Sequence, residues 1–233
     1  MTDTPRVTVV VPYYNDAPTI GACIEALMRQ TLRANMEVIV VDDGSTDDGP
    51  KQIARYPVNL ISQPNGGPAS ARNTGAARAR GEFIIFLDAD CIAPPDWAES
   101  LLSAFSDREV VAAMGAICAT STEMLPRLVQ LEIEERYQRL ARTRYVDFFA
   151  SAVVAFRRRF FLDIGGFRAD LRYNEDVELA YRIHRAGAKI VFHAAQPVAH
   201  LHQNTWRSYF WTKFWRGVWR MRVYRLYPRQ ALS

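Results

Sequence analysis

The sequence predicts an α/β fold with a Rossmann-like, mostly parallel central sheet flanked by helices and a helical extension at the C-terminus. Three observations carry this. Apolar β-branched runs alternate with helical patterns along most of the chain, which is a βαβ rhythm. The strand-like runs are short and continuously apolar, as strands covered on both faces are. Proline opens the helical segments at Pro18, Pro68 and Pro94-Pro95, where its fixed φ suits a first turn.

Taken in order, Val7 to Val11 is a strand, Pro18 to about Gln30 a helix, and Glu37 to Val41 and Asn59 to Ser62 are strands. Pro68 starts a helix that Gly81 ends after about Arg80, with Ala69, Ala71, Ala76, Ala77 and Ala79 packing on the sheet. Phe83 to Leu87 is a strand, and Pro94-Pro95 opens a helix to about Phe105. Val110 to Ala119 and Phe148 to Phe156 are buried strands on either side of a long charged helix over 123–142. Glu175 to Ala186 is a helix stopped by Gly187, and Lys189 to His193 is the last strand. Residues 1–204 make one domain, and 205–233 a basic aromatic tail packed on it or lying at a membrane surface.

With 233 residues, 49% hydrophobic and 23% charged, the composition is that of a globular chain, which excludes disordered and collagen-like classes. Three cysteines, Cys23, Cys91 and Cys118, without metal spacing suit unpaired thiols in a reducing compartment. The N-terminal run lacks a signal-peptide pattern and no window is apolar enough to span a bilayer, so the expected location is cytoplasmic, peripheral at most on the inner face of the plasma membrane. Seven Lys/Arg and no acid follow Asn204, so the net charge of +4 resides in the tail and the preceding residues carry about −3.

In an open α/β sheet, ligands sit beyond the strand C-termini, so acids at strand ends are read first. VIVVDDGSTDDG places Asp42 and Asp43 where the second strand leaves the sheet; they can accept bonds from a ribose or a base, or simply cap the next helix. FIIFLDADC stops at Asp88 and Asp90 on the same edge. Adjacent acids there repel unless a cation lies between them, and Mg²⁺ or Mn²⁺ takes oxygen ligands while leaving positions for diphosphate; the plainer reading is two solvated turn acids. Between these strands, Gly66-Gly67 leads into a helix bearing Arg72 and Asn73, a place for phosphate, which Arg clamps bidentately.

Further on, Glu175 and Asp176 open a helix behind the irregular Gly165-Gly166 to Asn174 stretch. Acids suit a first helical turn in any protein, and a carboxylate there could also take a proton from an acceptor hydroxyl. His200 and His202 would share one side of a strand, where one could complete a metal site with Asp90 or both could be structural. In the tail, Trp206 to Tyr227, helical spacing puts Trp211, Trp215, Val218 and Trp219 on one face and Lys213, Arg216 and Arg220 opposite. The pattern fits an interfacial helix or one packed on the domain with a basic outer face, and no nucleic-acid module accompanies it.

Together VVVPYYN, VDDGSTD, GPASARNTGAARARGEFIIFLDAD, GGF and NEDVELAYRIHRAG resemble, over roughly residues 5–204, the family 2 glycosyltransferases of the GT-A fold. The resemblance implies an inverting, metal-dependent transfer of a single sugar from a nucleoside-diphosphate sugar, UDP by default, to a glycan or lipid-linked acceptor, in cell-envelope polysaccharide, glycolipid or related synthesis. It implies that Pro12 and Tyr14 line the nucleotide pocket, Asp43 contacts the base or ribose, and Arg72 helps hold the nucleotide. Asp88 and Asp90 match the DXD motif, the first acid meeting the ribose side and the second Mn²⁺ or Mg²⁺. Asp176 matches the catalytic base, with Glu175 beside it.

No QxxRW motif is present and no spanning segments follow the domain, which favours single-sugar transfer over polymerisation. FLDADCI also resembles the nucleophile motif of haloacid-dehalogenase-like phosphatases, but that motif belongs on a first strand. A sugar-nucleotide-binding subunit without turnover is the non-catalytic alternative. The first strand runs into PYYND, not GxGxxG, and no GxxxxGK[ST] occurs, which excludes dinucleotide oxidoreductases and P-loop kinases.

Overall fold

A computed structural model describes residues 4–121, 123–201 and 205–227. The chain runs β1 (Val7–Tyr13), α1 (Ala17–Met28), β2 (Met36–Asp42), α2 (Gly49–Ile53), β3 (Asn59–Ser62), α3 (Pro68–Arg78), β4 (Phe83–Leu87) and β5 (Cys91–Ile92). It continues through α4 (Trp97–Ser103), β6 (Val110–Ala119), α5 (Met124–Leu140), β7 (Val153–Arg157), α6 (Arg158–Asp163), α7 (Glu175–Arg185), β8 (Lys189–His200) and α8 (Trp206–Leu226).

The eight strands among the described residues join one sheet in the order β3-β2-β1-β4-β7-β6-β8-β5. The half β3-β2-β1-β4 is wholly parallel, as the apolar runs imply, so β1, β2 and β4 all end at one edge. The other half is mixed: β7 lies antiparallel between β4 and β6, β8 runs parallel to β6, and β5 pairs antiparallel with β8. One core packs α1 and α4 against the sheet, with Ile20, Cys23, Ile24 and Leu27 of α1 at helical spacing. A second core on the opposite face packs α3, α6 and α7, with Phe86, Phe156, Phe161 and Phe167 in edge and tilted contacts. Helix α3 lies so close to the sheet that a Cβ on Gly75 would meet Val10 Cγ1 at 2.3 Å. Ala69, Ala71, Ala76 and Ala79 are buried as expected, whereas Ala77 faces solvent.

Two strands differ from the sequence reading. The apolar stretch from Phe148 becomes a strand only at Val153; Phe149 is buried in the second core without joining a ladder. The last strand runs on past Gln196, which takes a left-handed φ of 56°, to reach His200. His202 lies outside the described residues.

The tail is also turned relative to expectation. Val223, Trp219 and Tyr227 pack with Leu171 and Val177, and Tyr227 Oη donates to Glu178 Oε1 at 2.6 Å. Lys213 Nζ reaches Glu132 of α5 at 2.6 Å. Lys213 and Arg220 of α8 therefore turn toward the domain, and Phe210, Phe214, Val218 and Met221 face out together with Arg207 and Arg225. Helical spacing identifies which residues share a side, but the choice of inner side falls to the ion pairs and rings of α5 and α7.

Candidate active site

The parallel edge is built first. Asp42 Oδ1 accepts from Ser45 N–H at 2.9 Å, forming the turn that leaves β2. Asp43 is buried, and its carboxylate accepts from Gly66 N–H (2.9 Å), Gly67 N–H (2.7 Å) and Gln63 Nε2 (2.6 Å). Gly67 sits at φ 86°, which a glycine adopts without strain, and so turns its N–H toward that acid. A base or ribose would have to share a carboxylate already fixing the glycine loop. Pro12 is half-buried at the end of β1, while Tyr14 is 53% exposed beside it. Tyr13 Oη donates to Asp47 Oδ1 at 2.5 Å, a link between the first strand and the GSTDDG turn that no local signal announces.

Asp88 and Asp90 emerge from β4 at the centre of the edge. Arg72, only 4% exposed, donates from Nη2 to Asp88 Oδ1 at 2.7 Å and from Nη1 to Glu175 Oε1 at 3.1 Å. The guanidinium expected to clamp phosphate is instead enclosed between two acids, 5.8 Å above the Phe167 ring centroid. Its Nε is buried without a partner among the described residues. Burial works against the cation, and the charges of Asp88 and Glu175 overcome it, holding Arg72 protonated above its usual range.

Helix α7 reaches this place through a tie outside it. Asn73 of α3 donates to Phe167 O at 2.7 Å and accepts from Phe167 N–H at 2.9 Å, fixing the GGF loop. Asn174 then takes a left-handed φ of 62° to start α7, and its amide donates to Arg216 O of α8 at 2.8 Å. Glu175 is buried and also accepts from Ser151 Oγ at 3.1 Å. Burial, then the charge of Asp176, pushes Glu175 up to about 7 against the pull of Arg72. Asp176 is half-buried, and its Oδ1 accepts from Val177 N–H at 2.8 Å. Burial raises it too, opposed by that N–H and by the charges of Arg216, Arg72 and Arg220. Ser151, Asn174 and the two tail arginines are site residues that sequence reasoning missed; only the unusual Asn before the acidic pair offered a signal.

The antiparallel register Cys91↔His200 brings the end of β8 beside Asp90. His200 Nε2 stands 3.4 Å from Asp90 Oδ2, and ligand atoms of Asp90, Cys91 and His200 lie within 4.8 Å of one another. Burial pushes Asp90 up to about 6 despite the attraction of His200, with Asp88 and Asp16 adding like charge. A carboxylate and an imidazole with Asp88 alongside fit Mn²⁺, whereas Mg²⁺ would use the carboxylates alone; the Cys91 thiol, raised far by burial, stays protonated and is a poor ligand.

This sheet, with acids gathered at one edge and a helix start carrying two more, is the architecture of GT-A glycosyltransferases. Staphylococcus aureus TarS shares the fold, with a TM-score of 0.69 at 19% identity over 84% of this chain and 37% of that one. Mannosyltransferase PcManGT from Pyrobaculum calidifontis, solved in complex with GDP-Man and Mn²⁺, superposes with a TM-score of 0.71 at 26% identity, over 88% of this chain and 59% of that one. A model of glycosyl transferase family 2 matches residues 8–165, and the chain belongs to that family. Glycosyltransferase AglE of Haloferax volcanii is 30% identical over 229 residues, 89% of this chain and 73% of the relative. The pre-mycofactocin glycosyltransferase of Mycobacterium tuberculosis is 31% identical over 221 residues, 91% of this chain; the chain spans only 46% of that relative's length. Family membership displaces the phosphatase alternative.

Proposed function

We propose that the chain transfers one sugar from a nucleoside-diphosphate sugar to an acceptor hydroxyl with inversion at the anomeric carbon. The observation that carries this is the Arg72 bridge, which joins the DXD edge to the start of α7 and leaves Asp176 beside it, half-open and, among the described residues, without an ion-pair partner as close as Arg72 is to its neighbour. Two acid groups with different tasks thus meet across one buried cation. Glu175 is committed to Arg72 and Ser151, so Asp176 is the better base.

Asp176 takes the proton of the acceptor hydroxyl as its oxygen attacks the anomeric carbon from the face opposite the leaving group. The C–O bond to the diphosphate breaks, and its electron pair leaves with the nucleoside diphosphate. The raised affinity of Asp176 for a proton makes it a stronger base than a solvated aspartate. Asp90 and His200, with Asp88, would hold a divalent cation, which supplies counter-charge for the departing diphosphate. Asp43 shapes the glycine loop against which the nucleotide lies, and Pro12 and Tyr14 flank it. The GDP-Man and Mn²⁺ bound by the Pyrobaculum enzyme support a donor of this class and make GDP a candidate beside UDP.

A thermal-shift panel of UDP, GDP and dTDP, each with Mn²⁺ and with chelator, tests the donor site on wild type, Asp90→Ala and His200→Ala. One diphosphate is expected to stabilise the wild type only with metal. The shift vanishes in Asp90→Ala and weakens about 10- to 100-fold in apparent affinity in His200→Ala. No response to any diphosphate with metal present overturns the reading, and binding without turnover in any acceptor assay favours the non-catalytic alternative.

A further inference from the structure

Apolar exposure in this molecule is concentrated. Among the described residues, 13 large hydrophobic side chains are exposed, and 10 of them lie on α5 and α8. On α8, Phe210, Phe214, Val218 and Met221 recur at helical spacing on the outward side, Phe210 and Phe214 being 61% and 60% exposed. On α5, Met124, Leu128 and Leu131 form a matching stripe. Lys213 of α8 pairs with Glu132 of α5, so the two helices are neighbours, but α5 also exposes Glu134 and Glu135 beside Leu131, and the acid-free apolar stripe is that of α8. Single exposed apolar residues are ordinary, whereas a contiguous patch of this kind marks an interaction surface.

We infer that the outer face of α8 seats the chain on an anionic lipid bilayer. Charge decides for lipid over a second copy. Helix α8 contains no acid, and Arg207 and Arg225 stand on its outward side at the two ends of the aromatic stripe, about 27 Å apart at 1.5 Å per residue. Long arginine stems reach out from an apolar face to headgroup phosphates, and aromatic rings rest at headgroup depth. Two copies packed through this face would instead bring like-charged arginines together. No helix among the described residues is long and apolar enough to cross a membrane, so the contact is one of lying on the surface.

The seat has a consequence for the reaction site. The inward side of the same helix holds Arg216 and Arg220 near Asp176, anchored by the Asn174 amide on Arg216 O. The acceptor side of the site therefore opens beside the lipid surface, which suits an acceptor whose hydroxyl or phosphate head is tethered in the membrane.

Co-sedimentation of the full chain with phosphatidylglycerol–phosphatidylcholine vesicles, and with phosphatidylcholine vesicles alone, tests the seat without any sugar substrate. Binding to the anionic vesicles is expected, with a blue shift of tryptophan emission and a steep loss as salt rises. Phe210→Asp/Phe214→Asp, at two exposed positions, is expected to weaken it at least about tenfold. Arg207→Glu/Arg225→Glu, which leaves the rings in place, is expected to weaken binding to the anionic vesicles about tenfold or more. Failure to sediment with either vesicle, or binding unchanged in both double variants, overturns the inference. So does a concentration-dependent dimer that Phe210→Asp/Phe214→Asp abolishes while vesicles are ignored; that result assigns the face to a second copy. Vesicle binding and diphosphate binding are separate readouts, so one can fail while the other stands.

Discussion

The acids of the parallel half and those at its junction with the mixed half live in different circumstances. Asp42, Asp43 and Asp47 each accept hydrogen bonds from neighbouring turns, and Asp47, against the burial that would raise it, is held below the usual range by Tyr13 Oη and the N–H groups of Ala17 and Gly49. Asp90, Glu175 and Asp176 are pushed the other way, in each case first by burial, with the like charges of Asp88 and Asp16 adding at Asp90 and that of Asp176 adding at Glu175. Acids of the first kind build a scaffold. Acids of the second kind are held at a cost in stability, which a protein tolerates where charge is to be moved or a cation received.

The sharpest way to break this contrast is Asp176→Asn, which keeps the shape of the side chain and removes the base. Turnover is expected to fall about 10²- to 10⁴-fold, with diphosphate affinity unchanged. Equal losses in binding and turnover would place Asp176 among the scaffold acids instead.

Arg72→Met probes the cation. Removing one partner of a buried ion pair leaves uncompensated charge, so a loss of about 3–5 kcal/mol is expected, a large share of the roughly 5–15 kcal/mol that holds a domain folded. Adding Glu175→Gln to that variant should recover part of the loss, because one of the stranded charges is then gone. Denaturant unfolding of both variants measures it, and additivity of the two changes would deny the coupling.

The smallest effect is in pH dependence. Glu175 binds its proton more tightly in the folded state, about 7 against 4.5 for the free side chain, so stability that its neutral form supports at low pH is lost as pH rises from about 4.5 through 7. Glu175→Gln stays neutral throughout. Its melting temperature relative to wild type should therefore climb across that window, by about 2–4 °C for each kcal/mol, and level off above it. A flat difference from pH 4.5 to 8 would show that Arg72 keeps Glu175 ionised.

Much of this was legible in the residues. Strands β1, β2 and β4 announced themselves because each is short, largely apolar and followed by an acid in the turn, and these are local properties of the chain. The same locality marked Asp43, Asp88, Asp90, Glu175 and Asp176 as candidates, since each stands where a regular element begins or ends. The late start of the seventh strand was not legible, because Phe149 is as apolar as the strand that follows and only the register against β4 and β6 separates them.

What the sequence by itself determined is the fold class and which acids stand at the sheet edge, for hydrophobic periodicity and turn chemistry act over a few residues. The tertiary structure alone decided their partners: Arg72 meets Glu175 across 103 residues, and His200 meets Asp90 through a two-residue strand too short to leave a pattern. It also decided which side of α8 turns inward. A helix presents both its faces to the sequence equally, and only the groups waiting on α5 and α7, Glu132, Glu178 and the ring of Tyr181, select one.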